Sequence, residues 1–334
     1  MRAFLERCWY AGAWPCFLLR PLSRLFARVV RLRRVLYRRG WLASQRLPVP
    51  VIVVGNLTVG GSGKTPLVIW LAQQLLDSGW NPGVVSRGYG GRADAPRAVT
   101  PASDPARVGD EPVLIARRLA CPVWVGRRRP EAARAMLAAH PAVDVILADD
   151  GLQHYALARD LEIVVLDGER RFGNGRLLPA GPLREPLQRL REVDAVVVNG
   201  GEAPDLAIPS PVYGMRLEGE RVHRLADPHD ERTAGAFAGV PVHAVAGIGH
   251  PGRFFAHLEA MGLHVVPHPF PDHHPFRPAD LPDGTVVMTE KDAVKCAAWA
   301  PEDTWALRID ARLDEGLKSR VIDMLRKHHG QQAA

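Results

Sequence analysis

A glycine-rich segment between an apolar run and a helix-forming run constrains the fold of this chain most strongly. Residues 48–54 (PVPVIVV) are short, apolar and β-branched, as in a buried strand, and residues 66–76 have a helical pattern. Between them, residues 55–66 read GNLTVGGSGKTP. Glycines allow backbone N–H groups to turn inward around an anion, and the N-terminus of the following helix attracts negative charge. The segment therefore predicts a strand, a loop and a helix that together bind phosphate groups.

The end of this loop carries the two side chains that a nucleoside triphosphate site needs. Lys64 would reach the β- and γ-phosphates, and the Thr65 hydroxyl would hold Mg²⁺. A strict Walker A sequence has glycine at position 58, where this chain has Thr58, and the neighbouring glycines compensate for that change. The predicted phosphate-binding residues are Thr58, Val59, Gly60, Gly61, Ser62, Gly63, Lys64 and Thr65. The loop predicts binding of a nucleoside triphosphate but not the reaction that follows.

The choice of basic residues supports a special role for Lys64. Of the 43 basic residues only five are lysine, and Lys64 is the single lysine among the first 290 residues. The planar guanidinium of arginine does not replace a compact ammonium group geometrically. Because arginine occupies almost every other basic position, the lysine at position 64 suggests that an ammonium group is needed there.

The positive charge of the chain is concentrated at its N-terminus. The 334 residues have a formal net charge of +7, but residues 1–45 contain ten arginines and one acid, so the remaining residues carry a net charge of −2. A protein that binds duplex nucleic acid needs its positive surface on the folded body. This distribution argues against nucleic acid as a partner.

Residues 18–38 have the pattern of an amphipathic helix. Leucine and valine recur every three or four residues, at Leu18, Leu22, Leu25, Val29, Leu32 and Leu36, and arginines lie mostly on the opposite face. The uncharged stretch 8–19 is too short to span a bilayer, which needs about 18–20 residues. We expect residues 1–45 to be a membrane-associating segment that lies on anionic lipid. The alternative is a helix that packs on the protein's own core with its arginines in water.

The rest of the chain alternates short apolar runs with helical stretches. This pattern predicts an α/β fold, a P-loop NTPase-like parallel sheet covered by helices on both faces. We place this P-loop core at residues 46–210. Residues 211–238 resemble a hairpin linker, with strands at 212–217 and 221–225, and residues 239–330 are expected to form a second, smaller α/β domain.

Two pairs of acids are candidates for metal binding and catalysis. Asp149 and Asp150 follow an apolar strand, where P-loop folds place a carboxylate that orients the metal. Because neighbouring residues of a strand point to opposite sides, this position can direct one of the two towards the phosphates. Asp110 and Glu111 precede a helical stretch, 113–118. A carboxylate there could accept a proton from a substrate hydroxyl, or it could cap the helix.

Three further loops carry candidate residues. Arg87 and Tyr89, in the sequence SRGYGG, follow a strand and could touch a phosphate or a base. Arg184, in the loop 173–186, is a candidate cation for the transition state. In DHHPF, residues 272–276, one histidine could assist a carboxylate; two adjacent histidines also occur in ordinary surface turns, and no third ligand at zinc spacing accompanies them.

In chain order, these motifs resemble those of the tetraacyldisaccharide 4'-kinase family, the lipid A 4'-kinases. The resemblance covers residues from about 48 to 300 and includes NLTVGGSGKTP, SRGYGG, GDEP, DDGLQH, LLPAGPLREP, DHH and TEKD. It implies that the γ-phosphate of ATP-Mg²⁺ is transferred to the 4'-hydroxyl of a tetraacyldisaccharide 1-phosphate, forming lipid IVA. It also implies a peripheral location on the cytoplasmic face of the bacterial inner membrane, with no obligate protein partner indicated.

The resemblance assigns roles that the residues alone leave open. It implies that Asp110 is the catalytic base and that His273, from the C-terminal part, tunes or orients it. Asp149 and Asp150 would organise the metal and the nucleotide. Glu111, Arg184 and Glu185 would support them. A membrane-recruited P-loop ATPase or GTPase switch protein is the alternative function, although TEKD does not fit the guanine-specificity sequence [N/T]-K-x-D.

Overall fold

The structure is a computed structural model that describes residues 2–10, 14–92, 94–201 and 208–332. Residues 1 and 11–13 of the predicted N-terminal segment, and 93 and 202–207 of the predicted P-loop core, lie outside the described residues. The helices are α1 (Arg2–Tyr10), α2 (Arg20–Arg38), α3 (Lys64–Asp77), α4 (Pro105–Val108), α5 (Asp110–Arg118), α6 (Arg129–Ala139), α7 (Pro251–Ala260), α8 (Glu290–Cys296) and α9 (Glu315–Gln332).

The described strands form two sheets. They are β1 (Val51–Gly55), β2 (Pro82–Ser86), β3 (Arg97–Val99), β4 (Val123–Val125), β5 (Val145–Asp149), β6 (Leu161–Asp167), β7 (Ala195–Asn199), β8 (Val212–Glu218), β9 (Arg221–Arg224), β10 (Glu231–Thr233), β11 (Pro241–Ala246), β12 (His264–Pro269), β13 (Val286–Thr289), β14 (Thr304–Leu307) and β15 (Asp310–Leu313). The larger sheet has the order β15-β8-β7-β6-β1-β5-β2-β4-β3, and the smaller has the order β10-β9-β14-β13-β11-β12.

The larger sheet confirms the predicted parallel α/β fold. Strands β4, β2, β5, β1, β6, β7 and β8 are parallel, and only the edge strands β3 and β15 run antiparallel to their neighbours. The central strands are buried on both faces, which explains why they read as continuous apolar runs. Strand β1 lies beside β5, with Val54 opposite Asp149. This register brings the acidic end of β5 next to the start of the glycine loop.

The smaller sheet has a parallel centre with helices packed against it. Strands β12, β11, β13 and β14 are parallel, and β9 and β10 add an antiparallel edge. Trp305 on β14 is fully buried in the core of this sheet, together with Phe237 and Phe254. Helix α8 follows β13 and contacts α5 from the larger sheet. The loops at this contact form the boundary at which the candidate site lies.

The hairpin predicted at residues 212–225 is wrong. Strand β8 pairs with β7 and β15 in the larger sheet, whereas β9 pairs with β10 and β14 in the smaller one. The physical reason is that the apolar side chains of the two strands fill different cores: Met215 is buried in the core of the larger sheet and Val222 in that of the smaller. Residues 219–220 therefore form a connection between the sheets.

The C-terminal end of the chain also departs from the predicted boundary. Residues 239–330 were expected to form one small domain, but β15 and α9 return to the larger sheet. Leu317, Val321 and Leu325 of α9 are buried in the core that also contains Leu67 and Leu75 of α3. The apolar face of the last helix therefore covers the first domain rather than the second.

Helix α2 packs on the protein through one face, on which Ser23 is buried and Phe26, Val30 and Arg34 are partly buried, while most of its arginines are exposed. Ser23 is buried, and its hydroxyl donates a hydrogen bond to the Leu177 carbonyl at 2.7 Å. Arg34 is largely buried and forms an ion pair with Glu192. The stripe of Leu18, Leu22, Leu25, Val29 and Leu32 faces outwards, with each residue 55–65% exposed. The expected amphipathic helix is present with its apolar stripe in water, and Leu36 is half-buried.

Candidate active site

The glycine loop forms an open cradle between β1 and α3. Gly60 and Gly63 have φ values of 116° and 90°, which side-chain-bearing residues rarely adopt. A Cβ on Gly63 would lie 2.6 Å from the Asn199 side-chain nitrogen, and a Cβ on Gly61 would meet no atom within 4 Å. The Asn199 amide donates to the Ser62 carbonyl at 3.2 Å. The loop therefore turns its backbone towards an open space at the N-terminus of α3, where anions bind.

The first half of the loop is held by contacts with residues 182 and 183. Thr58 forms an isolated antiparallel bridge with Leu183, and the Val59 N–H donates to the Pro182 carbonyl at 2.8 Å. The Val59 side chain packs against Trp9 and its neighbours. Thr58 and Val59, predicted to contact phosphate, therefore lie where they hold the loop in place, and the cradle itself is formed by residues 60–65.

Lys64 points to the acidic end of β5. Its ammonium nitrogen lies 3.6 Å from Oδ1 of Asp150, and Arg184 contacts both oxygens of the same carboxylate at 3.1 and 2.9 Å. Burial alone would raise the pKa of Asp150, but Lys64, Arg184 and Arg129 outweigh burial and hold the pKa far below its usual range. Asp150 therefore remains ionised and brings two cations, Lys64 and Arg184, to the mouth of the cradle.

Asp149 has an environment that suits a metal ligand. It is buried at the end of β5; its Oδ2 accepts a hydrogen bond from Ser86 at 3.2 Å, and its Oδ1 has no hydrogen-bond partner. Burial, with the negative charges of Glu111 and Asp150, raises the pKa of Asp149 well above its usual range. A divalent cation would satisfy the free oxygen and relieve the repulsion among these carboxylates, so the residues fit Mg²⁺.

Both acids at the end of β5 lie close enough to Lys64 for their charges to interact with it. Asp150 has a φ of 46°, so it leaves the strand in a left-handed conformation. The strict alternation of side chains applies only within the strand. Because the backbone turns at Asp150, its carboxylate and that of Asp149 both lie within electrostatic reach of the lysine.

Asp110 and His273 are 163 residues apart in the chain and in direct contact in the fold. Nδ1 of His273 lies 2.9 and 3.1 Å from the two carboxylate oxygens of Asp110. Asp110 is the first residue of α5 and is buried, while His273 sits in the loop after β12 with a φ of 61°. Burial would raise the pKa of Asp110, but the His273 hydrogen bond and the charges of Lys291 and Lys295 lower it overall.

Lys291 determines which nitrogen of His273 carries the proton. Its ammonium group lies 3.4 Å from Nε2 of His273, 3.1 Å from Oε1 of Glu111 and 3.2 Å from Oδ1 of Asp272. An ammonium group can only donate hydrogen bonds, so Nε2 accepts and the proton of the neutral ring resides on Nδ1. The His273 Nδ1–H therefore donates to Asp110, and the carboxylate keeps its lone pairs as an acceptor.

Lysines 291 and 295 were not singled out by the sequence reasoning. Lys295 lies 2.7 Å from Asp292 and 3.9 Å from Asp110. The signal that drew attention to Lys64 was the rarity of lysine, and it applies equally here: three of the five lysines of the chain lie at this site. Applied to the whole chain, that signal would have found both residues.

The remaining predicted residues separate into two groups. Tyr89 stacks on His273 with ring centroids 5.0 Å apart, and Glu111 binds Lys291, so both belong to the site. Arg87 is exposed and lies close enough to Arg129 for their charges to interact.

Glu185 and His274 lie away from this contact. Glu185 is buried elsewhere, where it accepts a hydrogen bond from Tyr155 and pairs with Arg189. His274 binds Asp280 at 3.1 Å and packs between Phe270 and Phe276, so it faces away from Asp110.

A cleft of about 750 Å³ opens in front of the Asp110 and His273 pair. Its walls include Tyr89 from the loop after β2, Arg107 from α4 and Phe276 from the loop after β12. Volumes of this size hold small-molecule ligands. The arrangement places a carboxylate that can accept a proton in a ligand-sized cleft. Glu111, the next residue in the chain after Asp110, lies close enough to Asp149 for their negative charges to interact, so the cleft is near the phosphate cradle.

Comparisons with known proteins agree with this geometry. The profile of the family described as Tetraacyldisaccharide-1-P 4'-kinase matches residues 15–326. The tetraacyldisaccharide 4'-kinase of Aromatoleum aromaticum is 54% identical over 98% of both chains, and that of Methylobacillus flagellatus is 51% identical over 96% of both. The crystal structure of the "apo" form of LpxK from Aquifex aeolicus in complex with ATP aligns with a TM-score of 0.80 at 32% identity, covering 93% of this chain and 100% of that one. With its family profile matched over most of its length and relatives of this similarity, the chain belongs to the tetraacyldisaccharide 4'-kinase family.

Proposed function

We propose that the protein transfers the γ-phosphate of ATP to the 4'-hydroxyl of a tetraacyldisaccharide 1-phosphate, forming lipid IVA in lipid A biosynthesis. The observation that carries this proposal is the Asp110 and His273 contact, at 2.9 Å, in a cleft beside a phosphate cradle. A P-loop switch protein needs the cradle but has no use for a buried carboxylate that is paired with an imidazole in a ligand-sized cleft.

In the proposed reaction the 4'-oxygen attacks the γ-phosphorus as the bond to the β–γ bridging oxygen breaks. The hydroxyl proton passes to the Asp110 carboxylate, which its surroundings keep ionised. His273 holds this carboxylate in position through Nδ1–H, and Lys291 holds the histidine in that tautomer. Lys64 and Arg184 lie where they would neutralise charge that develops on the transferring group and on ADP.

Residues Thr65, Asp149 and Asp150 are the proposed holders of Mg²⁺. When bound, the ion would neutralise phosphate charge and orient the oxygens of the nucleotide. Asp149 offers a buried oxygen without a partner, and Ser86 orients the other oxygen of the same carboxylate. Thr65 follows Lys64 in the first turn of α3, directly after the glycine loop.

A kinase assay tests this function directly. The protein is incubated with radiolabelled ATP, Mg²⁺ and tetraacyldisaccharide 1-phosphate in detergent, and label on the lipid is separated from free phosphate. We expect label on the lipid, and none on an acceptor that lacks the 4'-hydroxyl. Release of free phosphate without labelled lipid would reject the kinase and favour the ATPase alternative.

We also propose that the protein is peripheral on the cytoplasmic face of the inner membrane, where α2 meets the lipid. The support is the outward stripe of Leu18, Leu22, Leu25, Val29 and Leu32. A contiguous apolar stripe in water is unusual for a soluble surface and suits an interface. In the described part of the chain, no helix combines the length and apolarity needed to cross a membrane. The acyl chains of the acceptor hold it in the bilayer, which also favours a kinase that acts at the membrane surface.

Polar substitutions in this stripe are expected to release the protein from membranes. In the double variant Leu22→Gln, Leu25→Gln, each change removes an apolar side chain worth about 1.5–3 kcal/mol when buried, so binding should fall at least about tenfold. Co-sedimentation with vesicles that contain phosphatidylglycerol measures this. Deletion of residues 1–40 is a poorer test, because Trp9 is buried and its indole N–H binds the Pro179 carbonyl at 2.9 Å.

The matched control for this experiment is the double variant Val212→Gln, Val240→Gln. Both residues are exposed, at 40% and 44%, and both lie outside α2. The control should sediment like the wild type. Sedimentation of the α2 variant at the wild-type level would contradict anchoring by this stripe.

The two sheets are proposed to act as two domains that close on the substrates. Asp110 belongs to the larger sheet and His273 to the smaller, and Arg253 of α7 binds Asp167 at the end of β6 at 2.8 Å. Closure between them would exclude water from the transferring group and limit hydrolysis of ATP.

A further inference from the structure

The cleft in front of Asp110 carries more positive charge than the proposed chemistry at Asp110 uses. Its walls include four cations, Arg92, Arg97, Arg107 and Lys295, against the two carboxylates of Asp104 and Asp110. Lys295 is 2.7 Å from Asp292, so it is already paired. The excess charge therefore lies on the three arginines.

These arginines come from three different segments and all three line the cleft. Arg92 is in the loop after β2, Arg97 is on β3 and Arg107 is on α4. The Arg92 N–H donates to the Arg107 carbonyl at 3.0 Å, so the two backbones are joined directly.

Three glycines permit this close approach. A Cβ on Gly91 would lie 2.5 Å from the Arg107 carbonyl oxygen, and one on Gly88 would lie 2.9 Å from the Val108 carbonyl oxygen. Gly109, with a φ of 93°, approaches the Tyr89 carbonyl in the same way. These backbone contacts fix the positions of the two segments, and therefore of the Arg92 and Arg107 backbones, relative to Tyr89 and Asp110.

Among the described residues, few carboxylates lie close enough to neutralise the charges of these arginines. Arg107 is 3.8 Å from Asp104, and both side chains are mostly exposed, so this pair is weak. Asp104 is already engaged as the cap of α4, where it accepts from the Ala106 N–H at 2.9 Å. Arg92 and Arg97 have no carboxylate within ion-pair distance in the part of the chain that the structure describes. Such guanidinium groups suit a ligand phosphate, which they bind through paired N–H donors.

We propose that Arg92, Arg97 and Arg107 bind the 1-phosphate of the acceptor while Asp110 receives its 4'-hydroxyl, an assignment that rests on the proposed function. The two groups lie at opposite ends of the disaccharide, and the cleft is lined both by the Asp110 carboxylate and by the three guanidinium groups. Recognition of the 1-phosphate at this wall orients the sugar so that the 4'-oxygen, rather than another hydroxyl, meets the γ-phosphate.

A test with two acceptors isolates this contact. The variants Arg92→Gln, Arg97→Gln and Arg107→Gln, singly and combined, are assayed with tetraacyldisaccharide 1-phosphate and with the same lipid bearing a free hydroxyl at C1. For the phosphorylated acceptor, the combined variant should lower kcat/KM at least about tenfold, mainly through KM, since a hydrogen bond to a charged group has about this effect. For the acceptor without phosphate, the same variant should change kcat/KM less than about threefold.

The control is Arg312→Gln on β15, at the opposite edge of the larger sheet from β3. Its side chain is 73% exposed, and it removes one positive charge without touching the cleft. It should behave as the wild type with both acceptors. Equal losses with both acceptors in the arginine variants, or no loss with either, would overturn the assignment.

The outcome for the wild-type protein separates the two proposals. If it phosphorylates neither acceptor, the proposed function fails. If it phosphorylates both with the same kcat/KM, the kinase function stands and the 1-phosphate site is rejected. We expect a clear preference for the phosphorylated acceptor, and loss of that preference in the combined variant.

Discussion

The variant Asp110→Asn is expected to lose at least about 100-fold in kcat, the smallest effect typical of removing a general base. The asparagine side chain has nearly the same shape, and its carbonyl oxygen can still accept from the His273 Nδ1–H, so the fold and the domain contact should survive. It cannot take up a proton from the 4'-hydroxyl. Single-turnover kinetics with labelled ATP measure the transfer step, and the Kd for ATP-Mg²⁺ should stay near the wild-type value because Asp110 lies outside the phosphate cradle.

The adjacent histidines provide the matched comparison for this prediction. His273→Gln removes the ring that contacts Asp110 at 2.9 Å and should lower kcat, though less than Asp110→Asn does. His274→Gln replaces a ring that binds Asp280 and packs on Phe270, away from the reacting groups, so activity per folded protein should stay close to wild type. Wild-type activity in Asp110→Asn would remove Asp110 as the base, and equal losses in the two histidine variants would remove the specific role of His273.

The variant Lys64→Ala is expected to lower kcat/KM for ATP at least about 100-fold, as does loss of a donor that stabilises transition-state charge. Asp150 keeps Arg184 at 2.9 Å as a partner, so the carboxylate does not become an unpaired buried charge and the protein should fold. Both nucleotide affinity, by equilibrium binding, and the rate of transfer should fall.

Two further lysine variants make this prediction specific. Lys64→Arg keeps the charge, but the guanidinium fork differs in shape from an ammonium group, so it should restore little activity. Lys327→Ala removes an exposed lysine on α9 and should leave the kinetics unchanged. If Lys64→Arg were as active as wild type, charge alone would account for Lys64, and the rarity of lysine in this chain would carry no chemical meaning.

The parts of the site that sequence reasoning found are those that lie close together in the chain. Lys64 and Thr65 follow a glycine loop, and Asp149 and Asp150 end an apolar run, so local pattern was sufficient to predict them. The contact of Asp110 with His273 was inferred only through family resemblance, because no local pattern relates residues 163 positions apart. Lys291 and Lys295 are as rare in type as Lys64, but no local pattern relates them to Asp110.

The errors have an equally physical origin. Strands β8 and β9 have the spacing of a hairpin, and only the burial of Met215 in one core and Val222 in the other shows that they belong to different sheets. Strand β15 and α9 lie after the smaller sheet in the chain and yet complete the larger one. Sequence order predicts neighbours in space only when the intervening residues do not cross between cores.

The sequence by itself determined the fold class, the phosphate loop, the amphipathic N-terminal helix and, through its ordered motifs, the family. These depend on short-range periodicity, on the conformational freedom of glycine and on charge spacing, which are properties of contiguous residues. The tertiary structure alone decided that the apolar stripe of α2 faces outwards, that His273 rather than His274 meets Asp110, and that Lys291 sets its tautomer. It also brought three arginines from separate segments into the lining of one cleft. These depend on which surfaces bury one another, because a side chain's partners are set by the packing of the whole chain.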